Sequence, residues 1–263
     1  MKPALAENRR KPFLSFLTGA FIGVLGGLIG LGGAEFRLPL LLKVFSYATL
    51  PAVVVNLVVS LVTVVISFIF RLNTIRLDVI SSNLSVVVNI LAGSLIGSYF
   101  GACLAAHSGE RALKRMVVVL LVMLSLLLMG HELIADSGIA QLNPLLQVAL
   151  GFLAGIAIGA VSSLLGVAGG ELIIPTIVLL FAIDIKPAGS LSPAIGAPTI
   201  SMALYKYQRQ QQLAAVFKDR AFIVWMATGS ICGSLAGSYP LRHVADLYLH
   251  FFLGAILLVR QLK

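Results

Sequence analysis

Two matching stretches decide the fold: Gly30-Leu31-Gly32-Gly33-Ala34-Glu35-Phe36-Arg37-Leu38-Pro39 and Gly166-Val167-Ala168-Gly169-Gly170-Glu171-Leu172-Ile173-Ile174-Pro175. Each interrupts a long apolar run. Glycine lowers helix propensity and admits backbone angles that other residues avoid, and proline suits a first helical turn but not an interior. Each stretch therefore reads as a break between two helix pieces, with Gly30, Pro39, Gly166 and Pro175 as hinges. A glutamate inside such a break, at membrane depth, is costly and marks a functional-site candidate.

The surroundings set that depth. Of 263 residues, 59% are hydrophobic and 11% charged, against about 25% charged in a soluble domain, and the mean hydropathy is +1.03. Apolar segments of about 17 to 25 residues recur between short polar connections, each long enough to cross the hydrocarbon. The chain reads as an all-α polytopic membrane protein. Its net charge of +9 suits membrane orientation better than nucleic acid, because Arg9, Arg10 and Lys11 precede an apolar segment and most other basic residues sit at segment ends. The run from Phe13 to Leu31 exceeds a signal-peptide core of about 7 to 15 residues and is read as retained. Cys103 and Cys232 lie within apolar segments, where a buried thiol is expected.

An offset of 136 residues superimposes the halves. It carries Gly19 to Gly155, Gly23 to Gly159, Glu35 to Glu171 and Pro39 to Pro175. Without a gap it then carries Pro51 to Pro187, Thr63 to Thr199, Gly93-Ser94 to Gly229-Ser230, Gly97-Ser98 to Gly233-Ser234 and His107 to His243. The chain is a tandem duplication: a first repeat over 1–130, an external connection over 131–146 and a second repeat over 147–263. Each repeat holds a broken or re-entrant helix pair plus three transmembrane helices. The short piece from Phe36 to Tyr47 covers only about 18 Å of a hydrocarbon core of about 30 Å, so it pairs with its predecessor instead of crossing.

Loop charge orients the repeats. Lys2, Arg9, Arg10, Lys11, Arg111, Lys114, Arg115, Lys206, Arg209, Lys218, Arg220, Arg260 and Lys263 mark the cytoplasmic side, and residues 131–144 carry Glu132 and Asp136 without Lys or Arg. Both termini are cytoplasmic on this reading, and an odd number of crossings per repeat makes the repeats inverted, with the site at their interface. Arg71 and Arg76 would then face outward, against the rule. The Gly93-x3-Gly97-x3-Gly101 and Gly229-x3-Gly233-x3-Gly237 stripes read as packing faces.

Several residues could carry chemistry. Unpaired N–H groups and the dipole at the start of each short helix favour an anion, which Gly32, Gly33, Ala34, Gly169 and Gly170 would let approach the backbone; the bland alternative is a tightly packed hinge. Glu35 and Glu171 either cap those helices or couple protons. Arg37 and Lys43 have the apolar counterparts Ile173 and Leu179; Arg37 suits an anion or pairs with Glu35, while Lys43 snorkels. Asn56 and Ser60, with Ser190, Ser192 and Thr199, offer neutral donors to an anion or to neighbouring helices. His107, His131, His243 and His250 lack metal-ligand spacing, and no nucleotide or hydrolase motif is present, so neither cofactor nor metal is expected.

The run Gly27-Leu28-Ile29-Gly30-Leu31-Gly32-Gly33, then Pro39-Leu40-Leu41-Leu42 and Ala52-Val53-Val54-Val55-Asn56-Leu57, resembles the repeated motif of the TauE/SafE family of sulfite and organosulfonate exporters. The resemblance spans both halves. It implies a bacterial inner-membrane permease moving small sulfur-containing anions by secondary transport. The chain departs from the family pattern where Gly32-Gly33-Ala34 and Ala168-Gly169-Gly170 replace three glycines, and where Asn56 and Ser192 replace threonine. The partners expected are a small anion, protons and the lipid bilayer, with room for a homodimer and no nucleic acid. The alternatives are an anion channel and a membrane-embedded enzyme using the paired glutamates.

Overall fold

The computed structural model describes residues 12–29, 33–72, 81–120, 122 and 143–238, and these are helical with no strand among them. In chain order they form α1 (Pro12–Ile29), α2 (Ala34–Lys43), α3 (Thr49–Leu72), α4 (Leu84–His107), α5 (110–120), α6 (Pro144–Leu165), α7 (Gly170–Phe181), α8 (Ile185–Arg209), the single turn α9 (Gln212–Val216), a 3-10 turn (Phe217–Asp219) and α10 (Arg220–Ser238). Thr49–Ile66, Leu84–His107 and Pro144–Leu165 are long and apolar enough to cross a membrane. The chain is a helical membrane protein. Gly30, Gly32, residues 131–142 and both chain ends, with His131, His243 and His250, lie outside the described residues.

The breaks occur at the glycines. Gly166 ends α6 at φ 73°, while Gly33 and Gly169 precede α2 and α7 at φ 69° and 75°. These left-handed angles cost glycine nothing and stop a helix cleanly. Pro39 and Pro175 do not stand at the breaks: each is the sixth residue of its short helix. There a proline removes one helical donor, to the carbonyl of residue 35 or 171, and the helix continues. The first short helix also begins and ends earlier than Phe36–Tyr47, at Ala34 and Lys43.

Two helix pairs form the frame, α1 with α10 and α4 with α6, and glycine makes both possible. A Cβ on Gly93 would stand 2.2 Å from the Phe152 carbonyl oxygen, and one on Gly229 2.2 Å from that of Phe16. On Gly97 it would stand 1.9 Å from the Ile156 oxygen, and on Gly233 2.0 Å from that of Ala20. In reverse, Gly19 meets Met226 and Gly23 meets Ser230, as Gly155 meets Ile90 and Gly159 meets Ser94. Each of these four contacts in one pair recurs in the other at the 136-residue offset. The glycine stripes are packing faces, each seating a helix of one half on a helix of the other.

Helix directions follow from these registers. Within each pair the residue numbers rise together, so α1 runs parallel to α10 and α4 to α6. The hydroxyl and N–H of Thr49, at the start of α3, donate to Glu110 Oε1 at 2.6 and 2.7 Å. Tyr47 Oη donates to Asp219 Oδ2 at 3.3 Å. The corner between α2 and α3 is thereby pinned to the end of α4 and the start of α10, which run in opposite directions. α1 enters from this end and α2 returns to it. α6 enters from the other end, and α7 turns back there, its last residue Phe181 lying against Gly151 near the start of α6.

Cys103 is partly exposed and Cys232 exposed, correcting the expectation of buried thiols. Lipid is as apolar as the bundle interior, so nothing drives a thiol inward.

Candidate functional site

The two out-and-back pairs meet where α2 and α7 begin. The N-cap residues are Gly33 and Gly169, which have no side chain to cap either N-terminus. Asn56, the eighth residue of α3, joins the breaks: its Nδ2 donates to the Ala34 carbonyl at 2.9 Å and to the Leu165 carbonyl at 3.1 Å. One turn on, Ser60 Oγ donates to the Gly166 carbonyl at 3.2 Å. One side chain thus satisfies the first turn of α2 and the last turn of α6 together. The Leu165 and Gly166 carbonyls belong to the last turn of α6 and lack intrahelical partners, while the Ala34 carbonyl takes the Asn56 bond in addition to its place in the first turn of α2.

Arg37 occupies the centre, fully buried at 0% exposure. Its Nη1 donates to Asn56 Oδ1 and Ser60 Oγ, both at 3.2 Å, and its Nη2 donates to Ser230 Oγ of α10 at 3.3 Å. Its Nε is buried without a hydrogen-bond partner among the described residues. All three acceptors are neutral. Guanidinium stays charged even when buried, and holding that charge away from water with neutral oxygens alone is expensive.

Glu35 and Glu171 are 0% and 1% exposed. They stand at the second position of α2 and α7 and interact with one another. Among the described residues none of their four oxygens has a hydrogen-bond partner. Glu35 feels the Arg37 charge without bonding to it, so of the two roles open to Arg37 the pair with Glu35 is not formed. Arg37 turns to α3 and α10 instead.

The second half is built differently. Ile173 stands where Arg37 does and packs at 0% exposure among Ile90, Ile158 and Ile195. Ser94, the counterpart of Ser230, has no guanidinium to meet and bonds Thr199 Oγ1 at 2.7 Å. Thr199 also donates to the Ile195 carbonyl at 2.7 Å. Gly196 is the counterpart of Ser60 at the 136-residue offset, and a Cβ there would lie 2.7 Å from the Ala168 oxygen. Ser190 and Ser192 are buried on α8. Of the residues picked out from the sequence, Ala34, Arg37, Asn56, Ser60 and Gly166 are gathered in one network. Gly33, Gly169 and Gly170 frame the facing helix starts, and Thr199 joins a separate bond. Lys43 is exposed at the far end of α2.

Sequence reasoning missed Ser94 and Ser230 as polar contacts. Their signal was present, since both follow a matched glycine, but the glycine stripe reads as packing. A serine on that stripe can reach a neighbour only if the partner helix sits close enough, which only the packed structure fixes.

Residues 150–260 match the family described as sulfite exporter TauE/SafE. A probable membrane transporter protein of Methanocaldococcus jannaschii is 28% identical over 187 residues, covering 69% of this chain and 67% of that protein. No solved structure matches. Both findings point to a membrane transporter. The resemblance carried by the repeated glycine motif is thus shown, the second half of the chain matching the sulfite exporter TauE/SafE family.

Proposed function

We propose that the chain is a secondary transporter of a small anion, sulfite or an organosulfonate, across the cell membrane, with Arg37 and the facing starts of α2 and α7 as its binding site. The observation that carries this reading is the buried guanidinium of Arg37, held among the described residues by Asn56, Ser60 and Ser230 alone. A cation kept in an apolar interior without a bonded carboxylate is an anion site in waiting. Two uncapped helix starts add partial positive charge beside it.

The halves are inverted repeats on this proposal. The support is that α4 and α10, equivalent by the offset, run in opposite directions from the same end. That end carries Lys43, Arg111, Lys114, Arg115, Lys206 and Arg209 and is assigned to the cytoplasm with both termini. Rocking of one repeat against the other would separate the tips of α2 and α7 and expose the site to each side in turn. Glu35 and Glu171 couple protons: two facing charges in low dielectric repel, and one shared proton turns that repulsion into a hydrogen bond.

The test is flux of sulfite, sulfoacetate, taurine and sulfate in proteoliposomes, with and without an imposed pH gradient. Saturable flux that accelerates with substrate on the opposite face is expected, falling about 10- to 100-fold in Arg37→Gln with the loss of a charge-assisted bond. Unchanged flux in Arg37→Gln removes the site. Near-diffusive conductance makes the protein a channel, and turnover of substrate in detergent makes it an enzyme.

A further inference from the structure

Arginine carries five N–H donors in one plane, and three of those of Arg37 are in use among the described residues. Both hydrogens of Nη1 go to Asn56 and Ser60, and one of Nη2 goes to Ser230. The two remaining belong to Nε and Nη2, which share one edge of the plane. Nε is buried and unpartnered, an exception among interior donors, which are satisfied in the great majority of cases. The acceptors that hold the plane have little freedom of their own. Asn56 is fixed by two backbone carbonyls and Ser60 by a third, and Ser230 sits at 0% exposure on the glycine-packed face of α10.

We propose that Arg37 is a pre-oriented side-on fork whose Nε–Nη2 edge receives two oxygens bonded to one atom of the substrate, and that Ser230 is the positioning residue that aims it. This rests on the anion-transport reading and sharpens it to a recognition rule. Carboxylates, sulfonates and sulfite offer two oxygens about as far apart as the two nitrogens, and such bidentate pairs gain geometry as well as charge. A halide or thiocyanate presents a single atom and uses only the charge. The second half, with Ile173 and a Ser94–Thr199 bond, has no fork, so the substrate's charged group binds on the α2 side alone.

The experiment measures half-saturation for sulfite, taurine, acetate, bromide and thiocyanate in proteoliposomes of the full chain, together with the thermal shift each anion gives in detergent. Wild type is expected to favour the two-oxygen anions by about tenfold or more over bromide and thiocyanate. Arg37→Lys keeps the charge and loses the fork, so that preference is expected to fall about tenfold with bromide affinity unchanged. Ser230→Ala leaves the charge and the Nη1 bonds in place. It is expected to lower the preference in the same direction by about threefold, a change that a purely structural role would not produce. The fork is overturned if Arg37→Lys or Ser230→Ala keeps the wild-type ratio of oxyanion to halide, or if wild type moves bromide as well as it moves sulfite. A wild-type protein with no saturable anion flux would instead sink the transport reading, and the fork with it.

Discussion

Gly97→Ala and Gly233→Ala probe the packing that sets the site. The added methyl of Gly97→Ala would stand 1.9 Å from the Ile156 carbonyl oxygen, and that of Gly233→Ala 2.0 Å from the Ala20 oxygen. Ordinary contact begins at 3.4 Å, so α4 and α6, or α1 and α10, must spread by about 1.5 Å or tilt. The obstacle is backbone, which cannot rotate aside as a side chain does. Overpacking of this kind costs about 1–3 kcal/mol, or about 2–12 °C in melting temperature for a chain of this size. The two clashes fall in separate helix pairs, so the double variant should lose about the sum of the single losses. Thermal unfolding in detergent reads this out, with Gly109→Ala as control, since a methyl there meets nothing within 4 Å. Each stripe variant should melt well below the control. The reasoning fails if Gly97→Ala and Gly233→Ala melt with wild type, or if only one of the equivalent sites responds.

Three further outcomes follow from single contacts. Asn56→Ala strands the Leu165 carbonyl and removes one Arg37 bond, and should lower stability by about 2 kcal/mol in denaturant titration; a loss under about 0.5 kcal/mol would show that those groups find other partners. Glu35→Gln and Glu171→Gln should abolish acceleration of flux by a pH gradient while leaving anion binding within about threefold, and full gradient-driven flux in both variants would end the coupling role. Tyr47 lies in the corner outside the spanning helices, where burial, then the neighbouring Asp219 charge, holds its phenol above the usual tyrosine range. The unfolded chain then releases this proton first, so stability should fall as pH rises past about 10. Tyr47→Phe should flatten that part of the profile, and identical wild-type and variant curves would rule the corner out.

The paired breaks, their glutamates and the duplication were legible in the sequence, because glycine and proline act locally and an offset of 136 aligns like with like. So was the asymmetry at Arg37, since comparing it with Ile173 needs no coordinates. The position of Pro39 and Pro175 relative to the breaks is not legible there. Proline's cost depends on its distance from the helix start, and sequence does not say that each helix begins five residues earlier.

Sequence alone determined that this chain is a duplicated helical membrane protein with a carboxylate in each break, since hydrophobic length and backbone propensity are properties of short segments. Only the tertiary structure decided that Arg37 turns from Glu35 to Asn56, Ser60 and Ser230, the last of them 193 positions away. A guanidinium's partner is whichever acceptor the packed helices bring within reach. Here that reach is set by glycines on α1 and α10 whose methyl-free faces let the backbones touch.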